Sequence, residues 1–199
     1  MSTKEEEDVS TNNRVNPIPK GYDYVTPHLM VKNSVNAIEF YKKVFGATEE
    51  YRFTMPDDDT KIIHAVLRIG NNSRIMLADE FPGMCDPNHS DGKIGSPKTV
   101  GGNSVFLSMY FENVDEIFNK AQSEGATVVM PLMDAFWGDR YGQLKDPFGH
   151  IWEVATHKKD MTKEEMEKAA NETFAKMSVN NSAKSKRSIL KLQIKLKVI

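Results

Sequence analysis

The chain carries a single cysteine, Cys85, among its 199 residues. One thiol excludes an intramolecular disulfide and a cysteine-rich metal site. Tryptophan is nearly as scarce, with only two residues. No apolar run approaches the roughly 20 residues that a membrane-spanning helix needs. The N-terminal stretch MSTKEEEDVSTNN has neither the apolar centre of a secretory signal nor the arginines of a transit peptide, so a cytoplasmic location is expected. No sign of charge dominates either: 26 basic residues face 28 acidic ones, for a net charge of −2. With those charges mixed along the body of the chain, a nucleic-acid partner is not expected. Lys184, Lys186, Arg187, Lys191, Lys195 and Lys197 do gather at the C-terminal end.

What is present is 39% hydrophobic and 27% charged, a composition suited to a globular domain. Inside it lies a repeat. Val35, Ile38, Gly46, Ala47 and Thr48 recur as Val114, Ile117, Gly125, Ala126 and Thr127, each 79 positions further on. Each copy follows an apolar run, and each amphipathic segment ends in Gly-Ala-Thr before more strand-like sequence. The patterning predicts β-α-β-β-β twice: strand 24–31, helix from Asn33 or Ser34 to Phe45, then strands 49–55, 62–69 and 74–78. The second set is strand 104–111, helix 114–124, then strands 127–130, 140–145 and 150–156. The fold class expected is therefore α+β, with two pseudo-symmetric βαβββ modules forming a curved sheet around a cavity. Such domains usually place a ligand site where the halves meet.

The module boundaries fall at about 22–80 and 104–158. A Pro- and Gly-rich linker over 81–103 joins them, and residues 1–21 are expected to be a disordered leader. Thr162 and Glu165 form a capping box that opens a charged helix to about Met177. The final LKLQIKLKVI alternates apolar and basic residues, a basic tail with the pattern of a strand.

The segments AIEFYKKVFGA (37–47), FWGDRYGQLKDPFGHIW (136–152) and DPFGHIWEVATH (146–157) resemble the glyoxalase/bleomycin-resistance/extradiol-dioxygenase family, the vicinal oxygen chelate superfamily, and within it the PhnB-like branch. The resemblance spans about 22–158. It implies a curved cavity in each module and commonly a homodimer. In metal-dependent members four side chains bind a divalent cation, and by position these fall at about Thr26, Met76, Phe106 and Glu153. Only Glu153 is a ligand, so no metal of the family type and no other cofactor is expected.

Glu153, between Trp152 and Val154, is a candidate general base if it points inward and burial raises its pKa. The alternative is a salt bridge to Arg140 or Arg74. His28 and His64 either join it in an acid–base or metal cluster, or serve as hydrogen-bonded wall residues. The loop PLMDAFWGDRYGQLKD offers a ligand mouth: Phe136, Trp137 and Tyr141 for stacking, Arg140 as an anion fork, and Gly138 and Gly142 for close wrapping. Phe106 adds a further ligand-facing ring. The structural alternative has Asp139 and Arg140 locking the turn and Trp137 filling the core. Asp146-Pro147-Phe148-Gly149 reads as a plain turn.

The expected function is metal-independent binding of a small planar or anionic organic molecule, as in the drug-sequestering resistance proteins of the superfamily. A second expectation is a glyoxalase-type lyase or isomerase using Glu153 with His28 or His64, or a relocated divalent metal. A third is a scaffold that acts through its C-terminal tail.

Overall fold

The computed structural model describes residues 15–22, 24–81 and 95–176. The first fourteen residues, most of the linker (82–94, with Cys85) and the segment from 177 onward, including the alternating LKLQIKLKVI, lie outside the described residues. Module 1 contains β1 (His28–Val31), α1 (Ser34–Phe45), β2 (Thr48–Met55), β3 (Asp58–Ile69) and β4 (Ser73–Asp79). A short helix, α2 (Pro97–Val100), precedes module 2, which contains β5 (Phe106–Tyr110), α3 (Val114–Ser123), β6 (Thr127–Asp134), β7 (Asp139–Lys145) and β8 (Ile151–His157). A further helix, α4, runs over 163–176. The two modules form separate four-stranded mixed sheets of the same topology, β1-β4-β3-β2 and β5-β8-β7-β6. In each, the first strand pairs in parallel with the last and the remaining neighbours are antiparallel. The α+β class and the paired βαβββ modules are therefore as the patterning predicted.

Local chemistry explains the helices. The Asn33 side chain accepts from the Asn36 amide at 3.1 Å, and Gly46, at φ 64°, closes α1 by returning its amide to the Tyr41 carbonyl. Asn113 caps α3 in the same way through the Glu116 amide. Several strand ends moved. β6 continues past Met130 through Pro131 to Asp134, because β6 is the outer strand of its sheet and a proline there removes no ladder hydrogen bond that the sheet requires. β3 begins at Asp58, four residues before the expected start at 62.

One face of each sheet is covered by helix and the other is open. Along β8, Trp152, Val154 and Thr156 face the helices, while Ile151, Glu153, Ala155 and His157 face the open side. On the covered side the modules share one core. Ile38, Tyr41, Val44 and Phe45 of α1 pack with Phe148, Trp152 and Val154 of module 2. Phe45 lies 4.8 Å from Trp152 and 6.1 Å from Phe111, and Tyr41 lies 5.3 Å from Trp152, all between ring centroids.

At the centre of this seam sits Asp146, 4% exposed. Its Oδ1 accepts from the amides of Phe148, Gly149 and His150, and its Oδ2 accepts from Tyr41 Oη at 2.7 Å and Trp152 Nε1 at 2.8 Å. Burial, and secondarily the carboxylate, push the Tyr41 hydroxyl far above its usual pKa, so it stays a donor. The residue expected to open a plain turn is thus the polar tie between the modules. A second buried carboxylate, Asp79 (1% exposed), ties module 1 internally by accepting from the amides of Asn33, Ser34 and Ile62.

Replacing Asp146 by Ala leaves five donors without their acceptor, and each buried unpaired donor costs about 1–3 kcal/mol. Urea unfolding is expected to show a loss of at least about 3 kcal/mol, with Asp146→Asn losing less because one acceptor oxygen remains. Phe45→Ala is expected to lose about 3–5 kcal/mol in the same measurement.

Candidate functional site

The open face of module 2 gathers the titratable and aromatic side chains. Strand alternation puts Phe106, Ser108 and Tyr110 of β5 beside Ile151, Glu153 and Ala155 of β8, which pair in turn with Lys145, Gln143 and Tyr141 of β7. Trp137, in the turn between β6 and β7, leans over this surface with its ring 5.2 Å from that of Tyr141 and at 73° to it. Together they enclose a cavity of about 340 Å³ lined by Ser108, Met109, Tyr110, Trp137, Tyr141, Glu153 and Ala155.

Two carboxylates organise the polar groups of this face. Glu153 Oε1 accepts from Tyr141 Oη at 2.6 Å and Gln143 Nε2 at 3.1 Å, while Oε2 accepts from Ser108 Oγ. Partial burial pushes the Glu153 carboxyl up, but these three donors outweigh it and hold the group below its ordinary value. Tyr141 is pushed up to about 12 by burial and by its bond to Glu153, and remains protonated. The expectation of a raised pKa suited to a general base is therefore reversed, and neither Arg140 nor Arg74 is its partner.

The second carboxylate, Asp139, is 3% exposed. Its Oδ2 accepts from Trp137 Nε1 at 2.8 Å and Tyr110 Oη at 2.9 Å, and its Oδ1 lies 2.7 Å from His157 Nδ1. His157 Nε2 lies 3.0 Å from Asp160 on its other side. Burial raises the Asp139 carboxyl, yet the contacts with His157, Tyr110 and Trp137 bring it below the usual range. Asp139 thereby fixes the orientation of two of the rings at the cavity.

Several expected site residues lie elsewhere. Arg140 points to the helix-covered side of β7, opposite Asp139 and Tyr141, where its guanidinium meets Asp115 at 3.0 Å and Asp134 at 3.5 Å. It is a structural clamp between α3 and β6, so the anion fork is not at the cavity. Phe136 packs on Trp137 at 4.9 Å and on Phe174 of α4 at 5.9 Å, which fixes the loop from behind. Gly142 leaves room for α3, since a Cβ there would lie 2.8 Å from the Phe118 ring. Gly138, at φ 99°, meets the Lys159 carbonyl closely and accepts from the Lys158 and Lys159 amides. The wrapping glycines thus pack against protein.

His28 and His64 come together on the open face of module 1, with ring centroids 5.4 Å apart, and Tyr51 stands 6.0 Å from His64. Burial, with the neighbouring His64, lowers the His28 pKa. Among the described residues no hydrogen bond or ring contact joins this pair to Glu153. The four positions that the resemblance marks for a metal do not converge: Thr26 and Phe106 line a 910 Å³ cleft between the modules, Met76 lines a cavity beside residues 17–20, and Glu153 lines the 340 Å³ cavity. Among the described residues no three His, Cys, Asp or Glu side chains gather in a way that would hold a metal ion. The donor set does not fit a divalent cation of the family type. The larger cleft gathers one charged side chain, Arg74, already paired with Glu50, so the smaller cavity carries the chemistry.

Ser108, Tyr110, Gln143 and His157 escaped the sequence reading, and Asp139 entered it only as a residue locking the turn. Their signal was the period-2 alternation that already marked Tyr141 and Glu153, applied to the neighbouring strands.

Comparison with known proteins agrees with this architecture. Residues 21–154 match the Glyoxalase/Bleomycin resistance protein/Dioxygenase superfamily, and the chain belongs to that superfamily. An uncharacterized protein of Mycobacterium bovis is 41% identical over 145 residues, covering 73% of this chain and 90% of the relative. TioX from Micromonospora sp. ML1 is 26% identical with a TM-score of 0.51, over 68% of this chain and 99% of that one. A PhnB protein of Bacillus cereus shares the fold at 19% identity and a TM-score of 0.51, over 67% and 99% of the two chains.

His157 has its pKa raised above that of an ordinary imidazole by the carboxylates of Asp139 and Asp160, one at each ring nitrogen. Its contact contributes stability in full below the unfolded pKa and loses it as pH rises through the raised folded value. Thermal unfolding is expected to show a midpoint that falls across that window. The Trp137 indole N–H resonance should move with it as Asp139 loses a partner, and both changes should vanish in His157→Gln.

Proposed function

We propose that this chain binds a small, flat organic molecule on the open face of module 2, without a divalent metal, and acts in the cytoplasm as a homodimer. The observation that carries the reading is the convergence of Trp137, Tyr110 and Tyr141 on a cavity whose polar groups are already oriented by Glu153 and Asp139. Preorganised rings of this kind lose little entropy when a ligand stacks on them. Capture rather than turnover follows from Glu153. Its carboxylate accepts from three donors and is held below its normal pKa, which makes it a weak proton acceptor. The proposed second copy rests on exposed apolar side chains of both open faces, including Phe53 and Tyr110, which a partner would cover.

A fragment screen by NMR tests the binding reading, because the two indole N–H signals of Trp137 and Trp152 report separately on the cavity and the core. Flat aromatic fragments are expected to shift the Trp137 signal alone. Trp137→Ala is expected to weaken their binding while unfolding stays cooperative. If that variant unfolds instead, Trp137 is a packing residue and the reading fails. Metal analysis of protein purified without chelator is expected to find far less than one divalent ion per chain. A value near one would move a metalloenzyme to the front. Sedimentation equilibrium should give twice the chain mass.

A further inference from the structure

The charge of the cavity is as specific as its shape. Among the described residues Glu153 is the one formally charged side chain in its lining, and the second carboxylate, Asp139, lies directly behind Tyr110 and Trp137. Among the described residues no arginine or lysine lines it; Arg140, on the far face of the sheet, is occupied by Asp115 and Asp134. The nearest imidazole, His157, has both ring nitrogens against Asp139 and Asp160.

The donors around the cavity are also spent. The hydroxyl protons of Ser108 and Tyr141 point to Glu153, and Gln143 Nε2 divides between Glu153 and the Tyr141 oxygen. The Tyr110 hydroxyl and the Trp137 indole N–H point to Asp139. A hydroxyl has one proton and an indole has one, so an incoming anion or carbonyl finds no free donor among these groups. What remains is carboxylate and hydroxyl lone pairs and the faces of three electron-rich rings. Hydrogen bonding to Asp139 makes the Tyr110 and Trp137 rings richer still. Trp137 and Tyr141, 5.2 Å apart and near perpendicular, form a corner open to the carboxylate.

From this arrangement we infer that the cavity takes a flat organic cation, such as an arylalkyl ammonium or an N-alkylated heterocycle, with its charge against Glu153 and its ring in the Trp137–Tyr141 corner. The inference rests on the binding reading above and replaces the anionic ligand that Arg140 had suggested. Attraction between a cation and an aromatic face, with a carboxylate at hydrogen-bond distance, supplies both affinity and selection by charge. At about 340 Å³ the cavity suits a ligand at the small end of the size range for such sites, one or two fused rings.

Three probes that share one ring separate charge from shape: 2-naphthylmethylammonium, 2-naphthalenemethanol and 2-naphthoate, each titrated by calorimetry and by the Trp137 indole signal. The ammonium is expected to bind at least roughly tenfold more tightly than the alcohol, and the carboxylate more weakly than both. That preference should shrink as salt screens it. In Glu153→Gln the advantage of the ammonium over the alcohol should disappear, whatever happens to the alcohol itself, and the unshifted core indole signal of Trp152 in the free variant shows that it is folded. An alcohol or carboxylate that matches the ammonium, or a preference that survives Glu153→Gln, overturns the charge inference and leaves the binding site standing. If none of the three binds and the indole signal stays still, the inference and the binding reading fall together.

Discussion

The carboxylate of Asp146 holds five hydrogen bonds in a space that admits almost no water. Three come from the turn that follows it, one from Trp152 on the next strand and one from Tyr41 on the helix of the other module. A buried carboxylate is costly unless it is fully satisfied, and here satisfaction demands that both modules be present and in register. The aromatic seam of Tyr41, Phe45, Phe148 and Trp152 supplies the apolar burial around it, while the carboxylate specifies how those rings meet. Because the modules join through their helix-covered sides, the opposite faces of both sheets are left open.

That division of faces explains the site. Residues one apart on a strand are sent to different environments, and β7 shows the consequence: Asp139, Tyr141 and Gln143 build the open face while Arg140 and Gly142 serve α3 behind it. The polar layer then has its own order. Two carboxylates, Glu153 and Asp139, collect the nearby donors, so the surface presented outward consists of lone pairs and ring faces. The segment after β8 braces the arrangement. Asp160 meets His157, the Gly138 carbonyl accepts from two successive amides, and α4 sets Phe174 against Phe136. The helix lies outside the matched superfamily region of 21–154, yet it supports the loop that carries Trp137.

Much of the architecture was legible along the chain. The internal repeat, the caps at Asn33 and Gly46, and the alternation in each strand are short-range signals, and each gave its element within a few residues. The misses were positional. The strand expected over 127–130 runs on through Pro131 to Asp134, because an outer strand tolerates proline, and outer position is a property of the sheet. Arg140 was chosen for its chemistry at a cavity mouth, and Asp146 was passed over as an ordinary turn residue. Glu153 was expected to be a base because burial raises a carboxyl pKa; three donors from three different strand positions reversed the sign.

The sequence by itself determined the two βαβββ modules and the superfamily, because periodicity, capping and the motif around residues 136–157 are local patterns. Only the tertiary structure decided which carboxylate joins the modules, which face each strand residue occupies against its neighbours, and that the open face of module 2 is electron-rich. Those depend on contacts such as Tyr41 with Asp146 and Ser108 with Glu153, between residues 105 and 45 positions apart. No local pattern encodes where a distant donor will come to rest.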